Sequence, residues 1–261
     1  MKFSKYYTTA LAAAKAGADV LMKYYGKTLN VEYKGITDPV SQADKNAQKA
    51  VIKAIKRVFP EHGILAEEDG VNEMGKDYCW IIDPLDGTVN FVHGLPAFCV
   101  SVGLKYKNEI IAGVIYSPVT KEIFSAEKGK GAYLNGEKIK VSKTDKLIRS
   151  LAVTGFPYVL EGRRARVFKN FENIVSTSQG IRRLGSAALD MAYVACGRFE
   201  FFWEETLKPW DIAAGILIVK EAGGIVTDYD GSKGYFSSQT LLASNGGKIH
   251  KKVLDILNET R

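Results

Sequence analysis

The sequence is poor in cysteine and has no long apolar run. Its three cysteines among 261 residues stand in apolar surroundings without the spacing of a zinc site, at Cys79, Cys99 and Cys196. They predict buried thiols in a reducing compartment, not a disulfide framework. No stretch approaches the roughly 18 apolar residues that span a membrane. We therefore expect a cytoplasmic protein without a membrane anchor.

Histidine is scarce as well, which limits the catalytic chemistry open to the chain. The three histidines occur singly, at His62, His93 and His250. No Ser-His-Asp set can be recognised, so an acyl-transfer triad is not expected. We predict surface or structural roles for all three histidines.

The basic charge gives little support to nucleic-acid binding. The formal net charge is +7, but the positive residues are scattered. The densest cluster, at Arg163, Arg164 and Arg166, is short and lacks interleaved aromatic residues. A lysine-rich solvated surface is the favoured explanation of the charge, and an anionic substrate is the alternative.

Hydrophobic periodicity changes along the chain. Residues 3–25 and 41–58 carry apolar stripes at helical spacing. Strand patterns then follow in succession at 63–68, 79–83 and 98–106. Strands in succession predict a sheet that is at least partly antiparallel.

The second half of the chain alternates strands and helices and ends in a helix near 247–258. This alternation predicts sheet layers covered by helices. The change of pattern near residue 145 marks the one candidate boundary, which divides the chain into residues 1–145 and 146–261.

The segment CWIIDPLDGTVNF, residues 79–91, places two aspartates three positions apart behind an apolar run. Pro84 is expected to end the strand at Asp83, and Asp86 precedes a turn into a short helix near Gly87. Buried carboxylates this close repel each other, whereas free N–H groups at a helix start attract phosphate. Mg²⁺ reconciles the two, because it bridges carboxylates to phosphate. Taken alone, however, Asp-Pro and Asp-Gly favour an ordinary structural turn.

Further acids occur at similar positions elsewhere. Glu67 and Glu68 end the strand-like run GILAEE, Asp44 lies at the start of the second helix, and Asp211 lies in the first turn of an apolar helix. The simpler explanation for Asp44 and Asp211 is interaction with the helix dipole. For the two glutamates it is a solvated strand end.

Four motifs, which span much of the chain, carry a family resemblance. They are ILAEED at 64–69, WIIDPLDGTVNFVHGLP at 80–96, LGSAALDMAYVACGRFEFFWE at 184–204 and PWDIAAGILIVKEAGG at 209–224. Together they resemble the inositol monophosphatase family of magnesium-dependent, lithium-sensitive phosphatases, and its bacterial branch in style. Ala66, Leu85 and Val89 depart from the common form of the motifs without removing a ligand.

The resemblance implies a layered αβαβα sandwich of the α+β or α/β class. It would contain a mixed, partly antiparallel N-terminal sheet and a second C-terminal sheet covered by helices. Residues 1–145 would form the metal-binding half, and residues 146–261 the substrate-side half. The resemblance also implies a homodimer.

The resemblance further implies two or three Mg²⁺ ions. Glu67, Asp83 and the backbone carbonyl of Leu85 would hold the first ion. Asp83, Asp86 and Asp211 would hold the second, with Asp83 bridging the two. Glu67 would also help to hold a looser third ion.

Other matched positions would serve the substrate. Thr88 would orient the attacking water, which makes Glu67, Asp83 and Thr88 the catalytic residues. Substrate contacts are implied for Asp86, Gly87, Thr88, Gly185, Ser186, Ala187, Glu204 and Asp211. Accessory roles are expected for Lys34, Asp44, Arg182 and Lys208.

The function implied is hydrolysis of myo-inositol monophosphate to inositol and phosphate by metal-activated water. A sugar phosphatase acting on fructose 1,6-bisphosphate is the alternative, since Arg182, Arg183 or Lys208 could bind a second phosphate. A nucleotide 3′-phosphatase is less favoured, because no adenine pocket can be recognised. The non-enzymatic alternative is a partner of the transcription machinery, as bacterial members of the family can be.

Overall fold

The computed structural model of the chain describes residues 3–27, 31–33, 39–68 and 76–259. Within these residues the helices are α1 (Lys5–Tyr24), α2 (Gln42–Lys56), α3 (Thr88–Val92), α4 (Arg164–Thr177), α5 (Ala187–Ala195), α6 (Pro209–Glu221), α7 (Tyr235–Ser238) and α8 (Gly247–Asn258). The strands are β1 (Val31–Tyr33), β2 (Pro39–Ser41), β3 (Gly63–Ala66), β4 (Tyr78–Asp86), β5 (Cys99–Tyr106), β6 (Glu109–Ser117), β7 (Glu122–Glu127), β8 (Gly131–Leu134), β9 (Glu137–Ile139), β10 (Leu151–Thr154), β11 (Gly180–Arg182), β12 (Phe201–Glu205), β13 (Ile225–Thr227) and β14 (Thr240–Ser244).

Two sheets form the framework, as predicted, and both of them are mixed. The first has the order β3-β4-β5-β6-β7-β8-β9, with β3 parallel to β4 and the other neighbours antiparallel. The second has the order β11-β10-β12-β14-β13, in which β10 runs parallel to both of its neighbours. The chain leaves the first sheet after Ile139 and enters the second at Leu151. The division into halves of 1–145 and 146–261 stays a prediction.

Three helix layers cover and separate the sheets. Helices α1 and α2 pack on the outer face of the first sheet, α5 and α6 lie between the sheets, and α4 and α8 lie against the second. The result is the predicted αβαβα sandwich. Each layer buries an apolar face, and this removal of apolar surface from water is the main stabilising term.

Small residues allow the middle helix layer to approach the first sheet closely. Gly103 on β5 and Gly113 on β6 face Ala213 and Ala214 of α6. A Cβ atom at Gly103 would lie 3.1 Å from the Ala213 Cβ atom, and one at Gly113 would lie 3.0 Å from the Ala214 carbonyl oxygen. The position of α6 is therefore set by direct contact between its backbone and the sheet.

Strand β4 continues beyond the end predicted for it. It runs through Pro84 to Asp86 instead of stopping at Asp83, so that prediction was wrong. The parallel partner β3 ends opposite Ile82, so Pro84 lies where no bond to β3 is needed. On the other side, the register with β5 shifts between Asp83 and Asp86, because a bulge takes up the additional residue.

No helix in the described part of the chain is long and apolar enough to cross a membrane.

Candidate active site

A cavity of about 310 Å³ opens where the end of β4 meets the N-termini of α5 and α6. It brings together most of the residues expected at the site: Glu67, Asp83, Leu85, Asp86, Gly87, Thr88, Gly185, Ser186, Ala187, Glu204, Lys208 and Asp211. Other residues also line it, among them Gly155, Phe156, Tyr158, Arg183, Asp190 and Trp210. Because both sheets and the helix layer between them contribute, the cavity forms only in the folded chain.

The bulge at the end of β4 orients the first group of oxygen ligands. Asp83 is buried, and its Oδ1 atom accepts a hydrogen bond of 2.9 Å from the Leu85 N–H. Gly87 follows with φ of +96°, a left-handed conformation that favours glycine. A Cβ atom there would lie 2.8 Å from the Ala97 carbonyl oxygen. Only glycine therefore fits the turn from β4 into α3.

Thr88, the first residue of α3, connects this turn to α2. Its hydroxyl lies 2.9 Å from the Leu85 carbonyl oxygen and 3.3 Å from Oδ1 of Asp44. Asp44 is buried and is not one of the residues that line the cavity, and it contacts the site through Thr88. This places Asp44 behind the site.

Asp86 lies at the N-terminus of α5. Its Oδ2 atom accepts hydrogen bonds of 2.6 Å from the Ser186 hydroxyl and 2.7 Å from the Ala188 N–H. Burial raises the pKa of Asp86, and these donors lower it in part. The N-terminus of α5 thus holds the carboxylate of Asp86, which belongs to the first sheet, in a fixed orientation.

Asp211 is presented by the first turn of α6. Its Oδ2 atom accepts a hydrogen bond of 2.7 Å from the backbone N–H of Lys208, which immediately precedes the helix. Pro209 begins the helix with its backbone dihedral angle already fixed, as is common at this position. The apolar remainder of α6 is buried between the sheets and anchors this turn.

The carboxylates in the cavity raise one another's pKa. Burial raises the pKa of Asp83 well above its usual range, and the charges of Glu67, Asp86 and Asp211 raise it further. Burial followed by Asp86 and Glu67 does the same to the pKa of Asp211. Such mutual repulsion is relieved by a cation.

The donor set fits Mg²⁺, because it consists of carboxylate and carbonyl oxygens, the hard ligands this ion prefers. In the residues that the structure describes, no three His, Cys, Asp or Glu side chains already form a group that could hold a metal ion. The chemistry of the donors supports a metal site at this position.

Glu204 lies on the opposite wall of the cavity. It belongs to β12, and its carboxylate fills the space beside Gly155, where a Cβ atom would lie 2.1 Å from Oε2. Burial and the nearby charge of Asp86 raise the Glu204 pKa to about 8, against a lowering effect of Arg183. The far side of the cavity thus carries a buried acid whose pKa lies well above that of an exposed glutamate.

The residues expected in accessory roles do not all lie at the cavity. Lys208 lines the cavity, but Arg182 is exposed and its neighbour Arg183 lines the cavity instead. Lys34 lies outside the described residues. Sequence reasoning missed Asp190 and Gly155, which also line the cavity. Asp190 lies within the motif at 184–204, but its position in a helix gave no sign that it faces a cavity.

The fold and the cavity agree with the comparison of the sequence with known protein families, which gives a match over nearly the full length of the chain. The chain belongs to the inositol monophosphatase family, whose model matches residues 2–261. It is therefore a phosphatase of the inositol monophosphatase type, in a family that is magnesium-dependent and lithium-sensitive.

Individual relatives carry different names. The chain is 44% identical over 241 residues to the fructose-1,6-bisphosphatase/inositol-1-monophosphatase of Thermotoga maritima, covering 92% of this chain and 91% of that protein. It is 40% identical over 248 residues to the Nus factor SuhB of Pseudomonas aeruginosa, covering 90% of each. The crystal structure of extragenic suppressor protein suhB from Bartonella henselae superposes with a TM-score of 0.93 at 40% identity, covering 98% of this chain and 99% of that one.

Proposed function

We propose that the chain is a Mg²⁺-dependent phosphomonoesterase that hydrolyses myo-inositol monophosphate to inositol and phosphate. One observation carries this proposal. Four carboxylates that repel one another lie in one cavity, beside the turn at which α3 begins. Phosphate-ester hydrolysis needs charge neutralisation, an aligned water and a stabilised leaving oxygen. The acids are placed to recruit the cations for this task.

Each residue around the turn has a role in this proposal. Glu67, Asp83 and the Leu85 carbonyl would hold one ion, and Asp86 and Asp211 would share a second with Asp83. When bound, Mg²⁺ supplies positive charge to the phosphate and lowers the pKa of water. A calorimetric titration with Mg²⁺, which counts the ions bound, distinguishes two ions from three.

The chain's own groups orient the reactants. The Thr88 hydroxyl, fixed beside the Leu85 carbonyl, would orient the attacking water. The N–H groups of Gly87 and Thr88 would bind phosphate oxygens. On the opposite wall Glu204, with Gly185 to Ala187 at the α5 start, would bind the hydroxyl-bearing ring.

A sugar bisphosphate is the second candidate substrate. The Thermotoga maritima relative is named for both activities. Arg183 and Lys208 line the cavity and supply positive charge that a second phosphate requires. The two substrates therefore differ in their need for these two side chains.

The direct test is a phosphate-release panel in saturating Mg²⁺. It compares inositol 1-phosphate, fructose 1,6-bisphosphate, 2′-AMP and 3′-phosphoadenosine 5′-phosphate, with EDTA and Asp83→Asn as negative controls. We expect the highest kcat/KM on inositol 1-phosphate, and inhibition by LiCl but not by NaCl of equal ionic strength. Preference for the bisphosphate, with loss of that preference in Arg183→Ala, would replace the leading substrate.

Two association properties are proposed separately. The Pseudomonas aeruginosa relative is named a Nus factor, which supports a test for binding to the transcription machinery. A pull-down with RNA polymerase and its elongation factors at several salt concentrations would decide this. The homodimer also stays a proposal, and light scattering on the purified chain tests it.

A further inference from the structure

Asp190 is an acid in the cavity that the proposed chemistry does not use. It lies on α5, is 1% exposed and lines the cavity. Its Oδ1 atom is buried and accepts no hydrogen bond from any residue that the structure describes. A buried polar atom without a partner lowers the stability of the fold, so its presence calls for an explanation.

Capping of α5 does not explain Asp190. Ser186 is the N-cap residue, and its hydroxyl accepts from the Leu189 N–H. The Ala188 N–H donates to Asp86, and the N–H of Asp190 itself donates to the Ser186 carbonyl oxygen. The free donors that an acid at a helix start usually binds are therefore already used.

Pairing with a cation does not explain Asp190 either. The charges that act on it are, in descending order, Glu204, Asp86 and Arg183. Burial is the largest cause that raises the pKa of Asp190, the two acids raise it further, and Arg183 lowers it. Arg183 is exposed at the cavity wall and forms no ion pair with Asp190 among the described residues. The partner of the Asp190 carboxyl is thus to be sought inside the cavity.

We propose that Asp190 and Glu204 together form a polyol subsite, in which Asp190 binds a ring hydroxyl of the leaving group that Glu204 does not bind. This inference rests on the proposed function and deepens it. A carboxyl group can exchange hydrogen bonds with a hydroxyl in either protonation state, as acceptor when ionised and as donor or acceptor when protonated. Asp190 is in this sense a specificity-determining residue for hydroxyl-rich phosphate esters.

The expected effect depends on the hydroxyl groups of the substrate. A site built to hydrogen-bond a hydroxyl discriminates against an ester that lacks it, because its polar groups are then left without partners. Removing one of several such contacts typically costs about tenfold to a hundredfold in kcat/KM. An ester without ring hydroxyls does not make this contact and is not affected by its loss.

The experiment compares inositol 1-phosphate with p-nitrophenyl phosphate in saturating Mg²⁺. Asp190→Asn keeps the shape of the side chain, Asp190→Ala removes the polar group, and Asp77→Asn on the surface is the control. We expect Asp190→Ala to lower kcat/KM for inositol 1-phosphate by about tenfold or more, mainly through KM, and Asp190→Asn to lower it less, because its amide still hydrogen-bonds a hydroxyl. Both variants should change kcat/KM for p-nitrophenyl phosphate by less than about twofold. Equal losses on both esters, or no loss on either, would overturn the proposal.

Product inhibition gives a second measurement that a purely structural role would not alter selectively. The inhibition constant of free myo-inositol should rise in Asp190→Ala and less in Asp190→Asn, whereas that of inorganic phosphate should stay unchanged in both. The wild-type rate on inositol 1-phosphate tests the proposed function by itself. If that rate is absent, the proposed function fails, and the Asp190 comparison is made with the best hydroxyl-rich ester of the panel. A wild type that prefers p-nitrophenyl phosphate to every hydroxyl-rich ester overturns the subsite as well.

Discussion

The Ser186 hydroxyl donates a 2.6 Å hydrogen bond to Oδ2 of Asp86, joining residues 100 positions apart in the sequence. Ser186→Ala removes this donor and the N-cap of α5 together. We expect a loss of about 1 kcal/mol in the free energy of unfolding. Because Asp86 is then less well oriented, we also expect a higher Mg²⁺ concentration at half-maximal rate.

A matched control separates these two effects. Ser4 caps α1 in the same way, through its contact with the Tyr7 N–H, at the outer face of the first sheet. Ser4→Ala should lose a similar amount of stability and keep the Mg²⁺ dependence of the wild type. The same Mg²⁺ dependence in Ser186→Ala and the wild type would contradict the role given to Asp86.

Asp83→Asn removes the carboxylate proposed to bridge two ions. We expect turnover to fall by more than about a thousandfold, on the order of 4 kcal/mol of transition-state stabilisation. Since the side chain is buried among other acids, the loss of its charge should not lower the melting temperature of the metal-free protein. Phosphate release and thermal unfolding measure both quantities. Turnover within about tenfold of the wild type would remove Asp83 from the metal site.

Thr88→Ala should reduce kcat more than it raises KM. The hydroxyl, 2.9 Å from the Leu85 carbonyl oxygen, is proposed to orient the attacking water, a task that matters most in the transition state. Thr88→Ser retains the hydroxyl and should preserve most of the rate. Steady-state kinetics on both variants decide the point, and a change confined to KM would argue for a binding role.

Gly155→Ala should alter substrate binding without altering metal binding. The added Cβ atom would meet the Glu204 carboxylate at 2.1–2.3 Å, so the flexible end of Glu204 has to move. We expect KM for the hydroxyl-rich ester to rise by about tenfold, and the Mg²⁺ dependence to stay constant. In a Glu204→Gln background the same change should add little, because both act on one contact. Additive effects in the double variant would mean that Gly155 acts elsewhere.

His250 predicts a pH dependence of stability away from the cavity. Its ring nitrogens lie 2.8 Å from the Ser244 hydroxyl and 3.1 Å from the Thr227 hydroxyl, and burial lowers its pKa to about 4. The unfolded chain therefore takes up a proton near pH 6.5, before the folded chain does. Stability from His250 is present above pH 6.5 and is lost as the pH falls towards 4.

The test is urea unfolding of the wild type and His250→Gln between about pH 7 and about pH 4.5. The wild-type free energy of unfolding should fall more steeply with decreasing pH than that of the variant. Comparing slopes keeps the test valid even if the variant is less stable overall. Parallel slopes would show that His250 has no lowered pKa.

The sequence predicted the elements whose apolar pattern is long and regular. Helix α8 matches its expected bounds, and β5 begins one residue later than expected. The end of β4 could not be predicted, because the effect of Pro84 depends on where β3 stops, and that is a property of the sheet. Local patterns do not specify such a register.

The site residues also divide into those that a local sequence pattern indicates and those that only the packing of the fold brings to the cavity. Asp83, Asp86 and Asp211 stand out as acids after strands and at helix starts, but that pattern alone favoured an ordinary turn or an interaction with the helix dipole. Only the family resemblance joined them in one proposed site. Asp190 could not be found, since only the docking of α5 against both sheets brings it to the cavity. Nor could the sequence decide whether Arg182 or Arg183 faces inward.

The close contact between α6 and the first sheet has a consequence for the precision of the site. Ala213, which lies against Gly103, is only two residues from Asp211 on the same helix. A single methyl group added at Gly103 would press on the α6 backbone at 3.2 Å, and the aspartate would be displaced with it. The position of the Asp211 carboxyl group in the cavity thus depends on the absence of a side chain at Gly103 on β5. The two glycines of the sheet thus set the position of a cavity residue although neither of them lines the cavity.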